Sequence, residues 1–154
     1  MRTLQVIPFE GIGLLKLGMS PEQILDAITE EWSILNHSGI NNIQISKETE
    51  DDGYTLRYTK GSFFFMVYYI NDRAVEISVD REMSNRMNVV LYDVDVFNTP
   101  AEEVINSVSR FSKYSYDAED ELLSTNYVFN DIGIRFWREE PFHEKLLSDK
   151  AYMD

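Results

Sequence analysis

The run Phe63-Phe64-Phe65-Met66-Val67-Tyr68-Tyr69-Ile70 constrains this chain more than any other feature. Eight apolar residues rich in aromatic side chains read as a strand and fall well short of the ~20 that a membrane helix needs. A strand apolar at every position is expected at the centre of a sheet, covered on both faces. Its flanks fit that place. Lys60-Gly61 turns the chain back toward Tyr54, Leu56 and Tyr58, which alternate with Thr55 and Arg57 to leave one wet face. Asn71-Asp72 turns it forward into Val75, Ile77 and Val79, alternating with Glu76, Ser78 and Asp80. Ile43 and Ile45 suggest a short strand upstream. Downstream, Arg81 to Met87 reads as a polar loop and about Asn88 to Phe97 as a further strand. A last hairpin uses Thr125 to Phe129, a turn at Asn130-Asp131, and Ile132 to Arg138.

Two helices frame this meander. At the first, Ser20 as N-cap, Pro21 at N1 and Gln23 at N3 spell a capping box, with Met19 and Ile24 as its hydrophobic staple. Ile24, Leu25, Ile28 and Trp32 share a face, so a helix is expected from about Pro21 to Glu31. Thr99, Pro100 and Glu102 repeat the grammar. Val104, Ile105, Val108 and Phe111 supply the second buried stripe, over about Pro100 to Ser112. Phe142, Leu146 and Leu147 suggest a short C-terminal helix. The fold class is therefore α+β with a largely antiparallel sheet, and residues 1–154 read as a single domain. Helix followed by strands occurs twice, which gives two related helix-plus-meander halves, 1–80 and 88–154, or two independent helices that happen to share good caps.

Charge narrows the partners. Asp and Glu total 27 against 14 Lys and Arg, a formal charge of −13. Such a surface repels phosphate backbones and anionic lipid, so neither nucleic acid nor membrane is expected as a partner. It steers encounter with a basic protein. The chain has no cysteine, which removes disulfides and thiolate sites, and the N-terminus does not read as a signal peptide. The expected location is cytoplasmic.

Catalytic patterns are sparse, and the reading is non-enzymatic, with no cofactor, no catalytic residue and no metal ligand assigned. His37 and His143 lack metal-ligand spacing, and no phosphate-binding, dinucleotide or nucleophile-elbow motif is present. Asp93 and Asp95 alternate with Val94 and Val96, so both are expected on one strand face. There they form either a wet surface that meets a basic partner or, in the alternative reading, the carboxylate pair of a metal-dependent hydrolase. Glu119, Asp120 and Glu121 lie in an acidic connector without the order or glycine of an EF-hand, and read as further charge contacts. Arg135 and Trp137 share the face of the last strand opposite Ile134 and Phe136, and their residue types are those that anchor interfaces.

The stretch Gly11-Ile12-Gly13-Leu14-Leu15-Lys16-Leu17-Gly18-Met19-Ser20 resembles an N-terminal signature, GIG-x-L-x-LGMS/T, of small bacterial proteins that include immunity proteins of Gram-positive polymorphic toxins. Gly133-Ile134-Arg135-Phe136-Trp137-Arg138-Glu139 is similar to a G-I/L-x-F-W-R-E element of the same group. The first element also resembles one in outer-membrane assembly lipoproteins, whose lipidated cysteine is missing here. The immunity resemblance implies tight, non-covalent neutralisation of a cognate toxin domain, often a nuclease and therefore basic. A homo-oligomer built on aromatic strand edges, in the simplest case a homodimer, is a third expectation.

Overall fold

The computed structural model describes residues 2–36 and 39–138, and the backbone of 148–152. The first half runs β1 (Arg2–Ile7), β2 (Gly11–Ile12), β3 (Leu15–Lys16), α1 (Pro21–Asn36), β4 (Gln44–Thr49), β5 (Tyr54–Lys60), β6 (Phe63–Ile70) and β7 (Arg73–Asp80). The second runs β8 (Met87–Leu91), β9 (Val94–Asp95), α2 (Ala101–Val108), β10 (Ser115–Tyr116), β11 (Asn126–Phe129), β12 (Ile134–Trp137) and β13 (Ser148–Tyr152). Two sheets result, one ordered β3-β2-β1-β8-β9 and the other β10-β11-β12-β13-β7-β6-β5-β4. The fold is α+β, and its ladders are antiparallel apart from the parallel pairing of β1 with β8. In the large sheet each half supplies four successive strands, and the last strands of the two halves, β7 and β13, pair at the centre.

The first helix forms as its cap prescribes. The Ser20 amide donates to Gln23 Oε1 at 2.9 Å and the Gln23 amide to Ser20 Oγ at 3.3 Å. The helix continues beyond Glu31 to Asn36 and buries Ile24, Ala27, Ile28, Glu31 and Trp32, while Leu25 is only partly covered. Trp32 meets Phe63 edge-on at 5.1 Å, which seats α1 on the large sheet.

The second helix departs from expectation. Thr99 does not cap it. Pro100 holds the cap position with φ −53 and ψ 141, and no side chain bonds the free amides. The helix stops at Val108 because the chain tightens there, the Phe111 amide donating to Val108 O at 2.9 Å. Phe111 therefore leaves the buried stripe and stands 53% exposed.

Three strand expectations also need correction. In β6 only Phe63, Phe65, Val67 and Tyr69 are fully buried, and Phe64, Met66, Tyr68 and Ile70 are partly covered, so the strand has one core face. In β7 a bulge opposite Tyr68/Tyr69 leaves Val75 as the extra residue, so Ala74 is buried in its place, while Ile77 and Val79 are buried as expected. The stretch Asn88 to Phe97 is a hairpin rather than one strand, with Tyr92 and Asp93 both left-handed (φ 48 and 67) at its turn. The polar segment Arg81–Asn85 is a 3-10 turn that buries Met83. The expected C-terminal helix at Phe142 to Leu147, and both histidines, lie outside the described residues.

The glycine-rich opening acquires a physical reason. Glu31 on α1 is fully buried, and its carboxylate accepts from Arg2 Nε at 2.9 Å, from Arg2 Nη2, and from the Leu14 amide at 3.0 Å. Gly13 sits against it at φ 57, where a Cβ would lie 2.1 Å from Glu31 Oε2 and 2.4 Å from Leu4 Cδ1. Gly18 (φ 89) has open space around it, and its amide ties the motif to β7 through Ala74 O at 2.7 Å. Gly13→Ala is expected to cost at least about 2 kcal/mol, strain plus clash, against about 1 kcal/mol for Gly18→Ala, which meets strain alone. Urea unfolding of the two variants checks this, and equal losses would mean that the Glu31 contact is dispensable.

Candidate functional site

The outer edge of the second half collects what a docking surface needs. Beyond α2 the chain runs through Phe111, the two-residue edge strand β10, an acidic bend and the 3-10 turn Glu121–Leu123. Phe111 stacks on Tyr92 at 4.0 Å, which sets the turn carrying Asp93 beside this segment. Tyr114 packs on Phe129 at 5.0 Å and anchors the segment to the sheet. What remains outside is apolar. Tyr116 is 42% exposed, Leu122 63% and Leu123 46%.

The acids around them divide into props and free contacts. Asp117 accepts from the Thr125 amide (2.8 Å), Thr125 Oγ1 (2.7 Å), Asn126 Nδ2 (3.2 Å) and the Asn126 amide (3.3 Å). Burial alone would raise this carboxyl, but the Thr125 and Asn126 hydrogen bonds outweigh it and hold it well below the usual carboxylate range. Asp120 accepts the Leu122 amide at 2.9 Å, capping the turn. Glu121 takes the Tyr114 hydroxyl, whose pKa is pushed up to about 12 by that bond first, then by burial and the carboxylate's charge. Glu119 and Asp93 are exposed, and no hydrogen bond from either side chain is recorded among the described residues. They are the acids of this edge that remain candidates for a contact.

Asp95 does not share a face with Asp93, because Asp93 belongs to the turn and Asp95 to the returning strand. Its carboxylate instead accepts Asn98 Nδ2 at 3.0 and 3.1 Å, closing the next turn. The arrangement assumed for a two-carboxylate hydrolase is therefore not formed. Among the described residues, no group of three or more His, Asp or Glu side chains is placed to hold a metal ion.

Arg135 and Trp137 stand on the outer face of the large sheet, partly buried, opposite the buried Ile134 and Phe136 as expected. Trp137 pairs across the ladder with Asn126, the residue Asp117 holds, so this face adjoins the acidic edge. Arg135 reaches Glu76 at 3.7 Å and lines a cavity of about 260 Å³ with Glu48, Glu50, Thr55, Arg57, Met66, Tyr68, Glu76 and Ser78.

The sequence reading missed Arg138. Its guanidinium is 1% exposed and donates to Ser124 O (3.0 Å), Leu122 O (2.9 Å), Tyr127 Oη (3.0 Å) and Glu102 Oε1 (3.2 Å). This one side chain fixes the back of the exposed Leu122–Leu123 turn and ties it to α2. A charge closing an apolar strand was the available signal, but two of these acceptors are backbone carbonyls, which no residue pattern announces. Set against known protein families, curated proteins and solved structures, the chain gives no significant match.

Asp117 yields a pH prediction. Its folded pKa lies below the unfolded value near 4, so its contribution is fully present above about pH 4 and is lost as pH falls through the folded value. Asp117→Asn should lower stability at neutral pH and flatten the acid limb of stability between about pH 4 and 2, measured by denaturant unfolding across pH.

Proposed function

We propose that this protein is a non-enzymatic binding module of the immunity-protein kind, occluding a basic domain of a cognate toxin through its acidic second-half edge. One observation carries the reading. Of the seven large hydrophobic residues exposed among the described ones, Phe111, Tyr116, Leu122 and Leu123 fall within a single short segment that also holds four acidic residues, Asp117, Glu119, Asp120 and Glu121, beside the turn that carries Asp93. Apolar centres rimmed by charge are how interfaces combine affinity with steering. A toxin that cleaves nucleic acid must present basic residues to phosphate, and an acidic rim complements them. The resemblance at Gly11–Ser20 and Gly133–Glu139 supports the same class.

The roles separate kinetically. Charge reversal at Asp93 and Glu119, which prop nothing, is expected to slow association about tenfold and to flatten its salt dependence. Leu122→Ala is expected to act on dissociation instead. The partner is obtained by affinity capture from the source cell at low and moderate salt, identified by mass spectrometry and assayed by surface plasmon resonance and growth rescue. Association rates that ignore both charge reversal and salt would sink the reading.

A further inference from the structure

The outer face of the large sheet holds a second feature, which stands whether or not the toxin reading does. Ser78 is 1% exposed, lines the 260 Å³ cavity, and its Oγ has no hydrogen-bond partner among the described residues. Burying a hydroxyl without a partner is costly, so this one calls for a partner from the cavity it lines, water or a bound ligand. The register explains the placement. Arg57, Met66 and Ser78 lie in one row across β5, β6 and β7, continuing through the backbone position of Lys150 to Arg135. Thr55, Tyr68 and Glu76 form the neighbouring row.

The charges choose the ligand. Arg57 faces Glu48 and Arg135 faces Glu76, each at 3.7 Å, so the two arginines of the lining are matched by carboxylates. Glu50 is left with Thr55 Oγ1 at 3.3 Å, a neutral partner. The Tyr68 hydroxyl, in the same lining, has its pKa raised by burial and then by the charges of Glu50, Asp52, Asp51 and Glu76. Three carboxylates, Glu48, Glu50 and Glu76, thus line the cavity against the two cations Arg57 and Arg135, and Glu50 is the one without a cationic partner among the described residues. The Tyr68 ring and the Met66 thioether add the soft surface that organic cations favour.

We propose that this cavity binds an organic cation, a guanidinium or primary ammonium group, held by Ser78 Oγ and Glu50 between Tyr68 and Met66. The group belongs either to a free amine or to a basic side chain of a protein partner, in which case the cavity is a subsite of the proposed toxin interface.

The full chain, labelled with ¹⁵N, is titrated with agmatine, with putrescine and with the peptide Gly-Arg-Gly, with sodium acetate and sodium phosphate as anion controls. Saturable amide shifts centred on Ser78, Tyr68 and Glu76 are expected with the cations and not with the anions. Saturation by agmatine or putrescine assigns a free amine, and saturation by the peptide alone assigns a side chain. Ser78→Ala is expected to weaken the dissociation constant about tenfold while leaving thermal stability equal or raised, since it deletes an unsatisfied group. Glu50→Gln, at an exposed position, weakens it similarly without touching the core. Shifts with the anions instead, no saturable shift with any cation, or full affinity in both variants would overturn the proposal. None of these readouts involves the toxin, so the two readings fail separately.

Discussion

The parallel pairing of β1 with β8 is the constraint on which the other elements depend. It sets Leu4 against Val89 and buries both completely, although the strands come from opposite halves of the chain. Everything between must leave and return, and the antiparallel run from β4 to β7 is the loop so closed. Long-range pairing of this kind is reached late and held by few local contacts, so each half needs its own fastening. In the first half it is Glu31, a buried carboxylate satisfied by Arg2 of β1 and by the Leu14 amide. In the second it is Arg138, a buried guanidinium satisfied by two carbonyls, a tyrosine hydroxyl and Glu102. A buried ion is tolerable only when its hydrogen bonds are filled, so both hubs specify their surroundings in detail.

The large sheet has one face in the core and one face that carries the proposed cavity. Its inner face carries Phe63, Phe65, Ile77, Ile134, Phe136 and Phe129 in one continuous core shared by both halves. The Tyr58 and Tyr69 hydroxyls there pair with each other at 2.7 Å, burial pushing both pKa values up. The outer face carries spaced Arg–Glu pairs, the Ser78 hydroxyl, unpartnered among the described residues, and partly covered Met66 and Tyr68. It meets the acidic edge where Trp137 pairs with Asn126, so both candidate surfaces belong to one side of one scaffold.

Some elements were readable because their cause is local. Ser20, Gln23 and Pro21 write a cap that forms as written, and β6 keeps the bounds of its apolar run. The same grammar at Thr99 fails, since Pro100 takes the cap position and no side chain follows it. Asp93 and Asp95 were misplaced because alternation in four residues describes a strand and a tight turn equally well. Only the left-handed backbone at Tyr92 and Asp93 separates the two.

The sequence by itself determined the α+β class, the first helix, the three-strand meander around Phe63–Ile70 and the excess negative charge. Periodicity and caps act over a few residues, and charge is a sum that needs no geometry. Tertiary structure decided that β13 enters the sheet between β12 and β7, that Glu31 and Arg138 are buried, and that Phe111 is not. It also decided which acids prop the fold and which face outward. Those outcomes depend on where distant backbone amides and carbonyls come to lie, and such groups are the same in every residue.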